Sequence, residues 1–544
     1  PVVGVAVLGV LAALWGPWRD GGDGGSFGTM SVADRVKTAD EFAVAGEHVN
    51  AVQEYVSILR SGPVPHPEII IFNLALSFSA LGLHEKALTS FTQASDLIPL
   101  NVLDEKLERK IEAESLAGQS GARLGWYERA ASHFQNAVNL QPSSAVNWFN
   151  LGISLLSLYQ IQTDSALSPT TILRASEALR TCSKLQPNNW IYKAHLGAAL
   201  VLTESCEECV LEGEKILEEF LSADHGLGDV SEGKMNMFIG FILGDSNPKA
   251  AAPHLDRAAY LFLTDKSKSV GNQVSSIYYR LGRAYRAQNL LQKEQETYVQ
   301  AVRNGIWTST MQRPGYVFPG RSLPSGPFPK EEQGLLTDPK FGQLWDAIRE
   351  IEASASKISN EYKAFVNYHQ NSGLMEDTEQ IADQGKWHQL TFARNGKKIP
   401  DMWANDTKQA FSETLRILTK LRESGLSMDL PKGSMEFSIL SPHSHLRPHC
   451  GPSNHRVRLH LGIFLPKPSA KIRVGDKERT WEEGKVLVLD DSYDHEVWND
   501  SDDKRVVLLI DVWHPHLTDQ DRIQVRDHFR FSQNSWKSLH RPLS

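Results

Sequence analysis

The chain has 544 residues, 41% of them hydrophobic and 22% charged, which is an ordinary composition for soluble globular protein and a length that allows more than one domain. Its formal net charge of −8 comes from 57 basic and 65 acidic side chains that are interspersed along the sequence, so we predict no nucleic-acid partner. The 4 Cys are too few for a disulfide scaffold.

The first segment of the chain is strongly apolar. Residues 1–18, PVVGVAVLGVLAALWGPW, carry no charged side chain and are followed by Arg19 and Asp20. This pattern predicts a transmembrane anchor, with a cleaved signal peptide as the main alternative and a buried core helix as a weaker one. Residues 19–33 contain GGDGGSFG and are predicted to be a flexible linker. If the rest of the chain were luminal, the sequons at Asn405 and Asn499 would be glycosylation acceptors.

The first half of the chain contains a helical repeat. Two segments share the spacing of 4, 3 and 5 residues that is typical of the second helix of a tetratricopeptide repeat: Ala87, Phe91, Ala94 and Pro99, and then Ala130, Phe134, Ala137 and Pro142. Small residues such as Gly152 and Gly282 in the first helices would let paired helices approach closely. We predict tetratricopeptide-like repeats over residues 34–305, stacked into a right-handed superhelix that serves as a docking surface.

A Cys pair lies within this repeat region, at Cys206 and Cys209. The CxxC spacing resembles a redox motif, but the carboxylates of Glu207 and Glu208 between the two Cys disfavour thiolates. We therefore predict an ordinary helix surface or a local disulfide.

The composition and the sequence pattern change in the second half of the chain. Residues 306–339 are rich in Pro and Gly and are predicted to be a linker. A C-terminal domain is predicted over residues 340–544, with a helix at about 340–368 and a β core at about 430–520. Within that core we predict strands at 435–440, 456–465, 471–474, 478–481, 486–490 and 505–513. The fold class is thus an all-α tetratricopeptide-type superhelix followed by a double-stranded β-helix, or jelly roll.

The strand at 456–465 carries a candidate binding face. Its apolar residues Val457, Leu459, Leu461 and Ile463 alternate with a second set that contains Arg456, Arg458 and His460. Because alternate residues of a strand point to opposite faces, one face would pack and the other would carry two Arg and a His. That polar face is either exposed to solvent or lines a pocket that binds anions.

Two histidines suggest a metal site that lacks one ligand. His449 is followed 46 residues later by His495, and Arg505 comes 10 residues after that. Non-haem Fe(II) oxygenases hold iron with two His and one carboxylate, and the carboxylate normally lies two residues after the first His. Here that position is Gly451, which cannot bind a metal, so the site is either inactive or uses two protein ligands. Arg458 and Arg505 could supply the cations that a dicarboxylate co-substrate needs. Three other histidines crowd the same loop and are predicted to be solvated: His443, His445 and His455.

Long ungapped motifs give the domain a family resemblance. They are RPHCGPSN at 447–454, RVRLHLG at 456–462, RTWEEGKVLV at 479–488, DDSYDHEVW at 490–498 and DVWHP at 511–515. They resemble the aspartyl/asparaginyl beta-hydroxylase family, most densely from about 430 to 520. The resemblance implies a dioxygenase that uses Fe(II), 2-oxoglutarate and O2, with iron held by two His and no protein carboxylate. It also implies a single-pass type II protein of the endoplasmic reticulum membrane with a luminal catalytic domain.

The resemblance assigns roles residue by residue. His449 and His495 would bind iron and, with Arg505, form the catalytic group. The contacts to 2-oxoglutarate would be Trp387, Ser438, Arg458, His460 and Arg505. Substrate contacts would be Gln389, Arg456 and, more weakly, Asp377. The implied substrates are proteins with Asp or Asn in epidermal-growth-factor-like domains. This chain departs from vertebrate members in having no Cys pair in the loop shortly after Trp387, which puts its substrate choice in doubt.

Two other functions are open on the sequence alone. The domain could be inactive, with the repeats acting as a protein-binding scaffold, or it could be a cupin-like module that binds a different anion. The sequence predicts neither the target protein nor the oligomeric state.

Overall fold

The computed structural model describes residues 30–538, with gaps at 101–104, 162–167, 245, 265–270, 320–322, 325, 332, 370–374, 377–380 and 469. The chain divides into two compact units: one contains the described residues up to Leu227 and those after Gln533, and the other covers Gly228–Gln533. Each unit is described by itself.

The first unit consists of helices joined in consecutive pairs. They are α1 (Val32–Val44), α2 (His48–Arg60), α3 (Pro67–Ala80), α4 (His84–Asp96), α5 (Glu105–Leu124), α6 (Tyr127–Leu140), α7 (Ala145–Ile161), α8 (Ser168–Leu185), α9 (Trp190–Val201) and α10 (Glu207–Ser222). The repeat positions Ala87, Phe91, Ala130 and Phe134 are all buried. The predicted tetratricopeptide-like architecture is confirmed.

Small residues set how closely the paired helices approach. A Cβ added at Gly152 in α7 would lie 2.6 Å from Leu179 Cγ in α8. This small-against-large contact is the one that the repeat pattern predicts.

Cys206 and Cys209 form a local disulfide at the start of α10, with 5.2 Å between their Cα atoms. Of the two interpretations that the sequence left open, the disulfide is therefore the one observed.

The second unit begins with two more helix pairs and continues into a β domain. Its helices are α11 (Asp229–Leu243), α12 (Pro248–Thr264), α13 (Gly271–Ala287), α14 (Leu291–Arg303), α15 (Gln333–Leu336), α16 (Gly342–His369), α17 (Asn405–Ala410), α18 (Ser412–Glu423) and α19 (Asp519–Ser538). Within residues 306–339, Tyr316, Phe318 and Phe328 are buried.

The β domain has two antiparallel sheets that face each other. Its strands are β1 (Met375–Glu376), β2 (Ala382–Gln384), β3 (Trp387–Arg394), β4 (Lys397–Lys398), β5 (Ser434–Leu440), β6 (Ser444–His449), β7 (Arg456–Phe464), β8 (Lys471–Val474), β9 (Lys477–Thr480), β10 (Val486–Leu489), β11 (His495–Asn499) and β12 (Arg505–Trp513). The larger sheet has the order β1-β3-β5-β12-β7-β10, with β4 beside β3, and the smaller has the order β2-β6-β11-β8-β9. This is the predicted jelly-roll arrangement.

The larger sheet has an outer face and an inner face. The outer face packs against α16 and α18, where Val457, Leu459 and Leu461 share a core with Ile351 and Leu418. The inner face meets the smaller sheet in a second core that contains Trp387, Leu440, Leu489 and Val507 from one sheet and Leu446, Ile472, Val474 and Val497 from the other. The space between the sheets is therefore lined by the alternate residues of β3, β5, β7 and β12.

The predicted membrane localisation is contradicted. Over the part of the chain that the structure describes, no helix combines the length and the apolar character that a bilayer crossing requires. The predicted anchor at 1–18 lies outside the described residues.

The prediction that Asn499 could accept a glycan is also wrong, because this residue is fully buried. Its side-chain amide donates to the backbone carbonyls of Leu440, Ser441 and Asp503.

Candidate active site

The two predicted iron ligands lie side by side on the smaller sheet. His449 ends β6 and His495 begins β11, and the two are register partners. Their ring centroids are 4.1 Å apart. In each ring Nδ1 lies at hydrogen-bond distance from the carbonyl two residues earlier, 2.7 Å to Arg447 O and 2.9 Å to Tyr493 O. Because a carbonyl can only accept, Nδ1 carries the proton, and Nε2 is the nitrogen with the lone pair that can bind a metal.

The surroundings keep His495 neutral. Burial, together with the neighbouring His449 ring, lowers the pKa of His495 to about 3. Neutral imidazole is the form that binds a metal ion.

A carboxylate lies beside this pair, although it does not come from position 451. Gly451 donates its N–H to Asp491 O over 2.6 Å, and a Cβ at Gly451 would lie 2.5 Å from Asp491 Cγ. Asp491 is fully buried, and its Oδ1 has no hydrogen-bond partner among the residues that the structure describes. In the described residues no three His, Cys, Asp or Glu side chains come together as a metal-binding group. The site therefore offers two imidazoles with a carboxylate nearby.

A buried guanidinium lies on the inner face of the larger sheet. Arg505 is 2% exposed and donates through Nη1 to Ser438 O and Oγ, at 3.3 and 3.2 Å. Trp387 Nε1 donates to the same Oγ over 2.9 Å. Within the described chain no carboxylate pairs with Arg505, its Nε has no partner, and burial lowers its pKa to about 9. A buried cation without a counter-ion is a ready position for an anion.

His460 supplies a further donor on this face. Trp481 Nε1 donates to His460 Nδ1 over 3.3 Å, so the proton of the neutral ring is on Nε2. That Nε2 is buried, and no described residue forms a hydrogen bond with it. Burial, and then the positive charges of Arg458 and Arg505, hold the pKa of His460 well below its usual range, so both guanidinium groups lie close enough to act on this ring.

Comparison with known proteins identifies the family of the C-terminal domain. Residues 352–515 match the family model described as aspartyl/asparaginyl beta-hydroxylase. The C-terminal domain belongs to this family. The prediction made from the motifs is thereby confirmed.

Two relatives show how much of the chain is shared. The human aspartyl/asparaginyl beta-hydroxylase is 30% identical over 357 residues, which are 63% of this chain and 41% of the human protein. The mouse protein is 26% identical over 511 residues, 85% of this chain and 63% of its own length. The chain therefore spans less than two thirds of either relative.

Among solved structures, a tetratricopeptide repeat protein from Parabacteroides merdae aligns with 15% identity and a TM-score of 0.33. The alignment covers 50% of this chain and 93% of that one.

The two Arg of β7 form ion pairs in the beta-hydroxylase domain. Arg456 is 2% exposed, and it pairs with Asp491 over 2.5 Å and with Asp511 over 2.7 Å. Arg458 pairs with Asp511 over 2.8 Å and with Asp491 over 3.3 Å. Of the two possible fates of this polar face, the structure therefore shows the lined interior. It also separates the predicted dicarboxylate cations: Arg458 lies against two carboxylates, whereas Arg505 lies against none in the described chain.

The predicted substrate contacts do not share one environment in the beta-hydroxylase domain. Gln389 is buried on β3, where its Nε2 donates to Glu436 Oε1 over 2.8 Å. Arg456 is in the ion-pair cluster just described, and Asp377 lies outside the described residues.

The three extra histidines do not share one environment. His443 is exposed beside Asp502 at 3.0 Å, and His445 lies between Asp383 and Glu496 at 2.7 and 2.8 Å. His455 is fully buried next to Pro431 O, so its predicted solvation is wrong.

Three residues of the site were missed by the sequence analysis: Asp491, Trp481 and Glu436. Asp491 and Trp481 lie inside motifs that identified the family, but only their contacts with Gly451 and His460 show what they do.

Proposed function

We propose that the chain is an Fe(II)- and 2-oxoglutarate-dependent dioxygenase that hydroxylates the β-carbon of Asp or Asn in protein substrates. The target class that we propose is the epidermal-growth-factor-like domain, which the family resemblance implies. The single observation that carries the proposal is the pairing of two adjacent imidazoles with a buried Arg505 that has no carboxylate within the described chain.

The side chains fit an iron ion. His449 and His495 would hold it through Nε2, because both Nδ1 atoms already donate to backbone carbonyls. Those hydrogen bonds fix the ring orientations before a metal binds. A metal held by only two protein side chains keeps several positions open for co-substrate and oxygen, and when bound it would supply the oxidising chemistry.

The inner face fits a dicarboxylate. Arg505, with Ser438 beside it, would hold one carboxylate, and burial makes each such hydrogen bond stronger than it would be in water. The Nε2–H of His460 would donate to an oxygen of the same co-substrate. Trp387 and Trp481 orient Ser438 and His460 through their indole N–H groups.

The experiment combines turnover with a binding measurement. Purified chain would be supplied with Fe(II), 2-oxoglutarate, O2 and peptides from epidermal-growth-factor-like domains. Succinate and a peptide mass gain of about 16 Da, the mass of one oxygen atom inserted at the reacting carbon, are expected together. His449→Ala and His495→Ala should abolish both and should also weaken binding of Co(II), used as a spectroscopic substitute for iron.

His443→Ala is the matched control, since this histidine is exposed and lies outside the pair. It should retain turnover and Co(II) binding. N-oxalylglycine, a mimic of the co-substrate, should compete with 2-oxoglutarate. Unchanged turnover in His449→Ala and His495→Ala would refute the iron assignment, and absence of succinate from the wild-type protein would favour the scaffold.

A further inference from the structure

One buried carboxylate on the inner face has no role in the reaction proposed above. Glu436 is 3% exposed, and it lies two residues before Ser438 on β5, so both side chains point to the inner face. Its register partners are Thr391 on β3 and Leu509 on β12, and Leu509 is also the partner of His460 on β7. Glu436 thus lies one step along the sheet from the proposed co-substrate position.

Glu436 is tied to the predicted substrate contact. Its Oε1 accepts from Gln389 Nε2 at 2.8 Å and its Oε2 from Thr391 Oγ1 at 3.1 Å. Gln389 Oε1 in turn accepts from Arg394 Nη2 over 3.3 Å. The carboxylate on one side and the guanidinium on the other fix which way the Gln389 amide points.

Among the described residues, the charges around this position are arranged as ion pairs. Three guanidinium groups, Arg394, Arg456 and Arg458, lie within ion-pair distance of three carboxylates, Glu436, Asp491 and Asp511. A further buried cation on this face of the described chain, Arg505, is needed by the co-substrate in the proposed reaction. A substrate carboxylate that enters here would add a negative charge next to Glu436, whose described cationic neighbours are already paired with carboxylates.

A carboxamide meets a different environment. It carries no charge, and its NH2 group can donate to a carboxylate oxygen while its carbonyl accepts from a guanidinium. In a site of low dielectric constant, repulsion between two carboxylates is much larger than in water. A site built to hydrogen-bond one polar group also discriminates strongly against a group that cannot make the same bonds.

We propose, building on the hydroxylase function above, that Glu436 determines the choice of target residue and that the pocket takes the carboxamide of Asn in preference to the carboxylate of Asp. Glu436 acts through its charge and through the orientation that it gives Gln389.

The test uses two peptides that differ only in Asn or Asp at the target position. For the wild-type protein, kcat/KM for the Asn peptide should exceed that for the Asp peptide by about tenfold or more. Glu436→Gln keeps the size of the side chain and removes its charge, so it should lower this ratio by about tenfold, mainly by lowering KM for the Asp peptide. Glu352→Gln, a Glu→Gln change in α16 where the carboxylate pairs with Lys330 and Lys485, should leave the ratio unchanged.

The outcomes are distinguishable. Equal efficiency with both peptides, a preference for Asp, or an unchanged ratio in folded Glu436→Gln overturns the role of Glu436 but leaves the hydroxylase intact. If neither peptide is oxidised and no succinate forms, the hydroxylase proposal fails and this one fails with it. If Glu436→Gln does not fold, the proposal is tested by the wild-type protein alone, through its ratio of kcat/KM for the Asn peptide to kcat/KM for the Asp peptide.

Discussion

The backbone of Gly451 and the side chain of Asp491 occupy adjoining space. Gly451 N–H donates to Asp491 O over 2.6 Å, and any Cβ at position 451 would lie 2.5 Å from Asp491 Cγ. In a two-His-one-carboxylate site the acid would extend from position 451. Here the Asp491 carboxylate, which follows β10, occupies that space. Position 451 therefore has no room for a side chain, and packing alone requires a glycine there.

Gly451→Ala is therefore expected to destabilise the second unit by about 1–3 kcal/mol, the usual cost of overpacking. Asp491 cannot withdraw easily, because Arg456 holds its carboxylate and both residues are buried. Urea unfolding would measure the change. Gly334→Ala is the control, since a Cβ there meets nothing within 4 Å, and an equal effect of the two substitutions would argue against the contact.

Arg505→Met tests the anion position without measuring turnover. Burial of the guanidinium without a carboxylate costs free energy in the unliganded protein, so removal of the charge should leave Tm unchanged or raise it. In the wild-type protein 2-oxoglutarate should raise Tm, by the equivalent of about 2.7 kcal/mol at a hundred times its Kd. The variant should lose this response.

Arg479→Met is the matched control for that experiment, because Arg479 is paired with Glu331 at the surface. It should keep the full response to 2-oxoglutarate. Stabilisation of Arg505→Met by the co-substrate to the wild-type extent would contradict the assignment.

The sequence predicted the β7 strand well because one face carries only apolar residues and the other carries Arg456, Arg458 and His460. It also located the long helix α16, which runs from Gly342 to His369. It missed β6 and β11 as strands, and these are the strands that carry His449 and His495. Both are short and rich in polar residues, and β6 contains Pro448, so neither has the β-branched alternation that identifies a strand.

Contacts between distant segments could not be predicted. Arg458 and Arg505 are equivalent as residue types, and only the positions of Asp511 and Asp491 show that one is paired. Likewise Glu436 is one of many acidic residues in the sequence, and its role depends on the pairing of β5 with β3.

The helix pairs of the first unit give a prediction that is independent of the active site. A Cβ at Gly152 would lie 2.6 Å from Leu179 Cγ and 3.3 Å from Ala175 O, so Gly152→Ala should destabilise this unit by about 1–3 kcal/mol. Leu179→Ala makes room for the added methyl group. The loss of unfolding free energy in the double variant should therefore be smaller than the sum of the losses in the two single variants. A double-mutant cycle in urea would measure this difference. Strict additivity would mean that the two residues do not limit the approach of α7 and α8.

Acid sensitivity of the second unit should depend on His254. This residue is 1% exposed, its Nδ1 lies 2.7 Å from Asn236 Oδ1, and burial lowers its pKa to about 3. Because the unfolded chain takes up a proton near pH 6.5 while the folded protein does not, stability is fully present above that pH and is lost as the pH falls from about 6.5 towards 3. His254→Gln cannot take up this proton. Relative to the variant, the wild-type protein should lose about 2 kcal/mol more between pH 7 and pH 5 in urea unfolding. Between pH 7 and 8.5 the difference between the two should stay constant, and parallel curves across the whole range would show that His254 is protonated equally in both states.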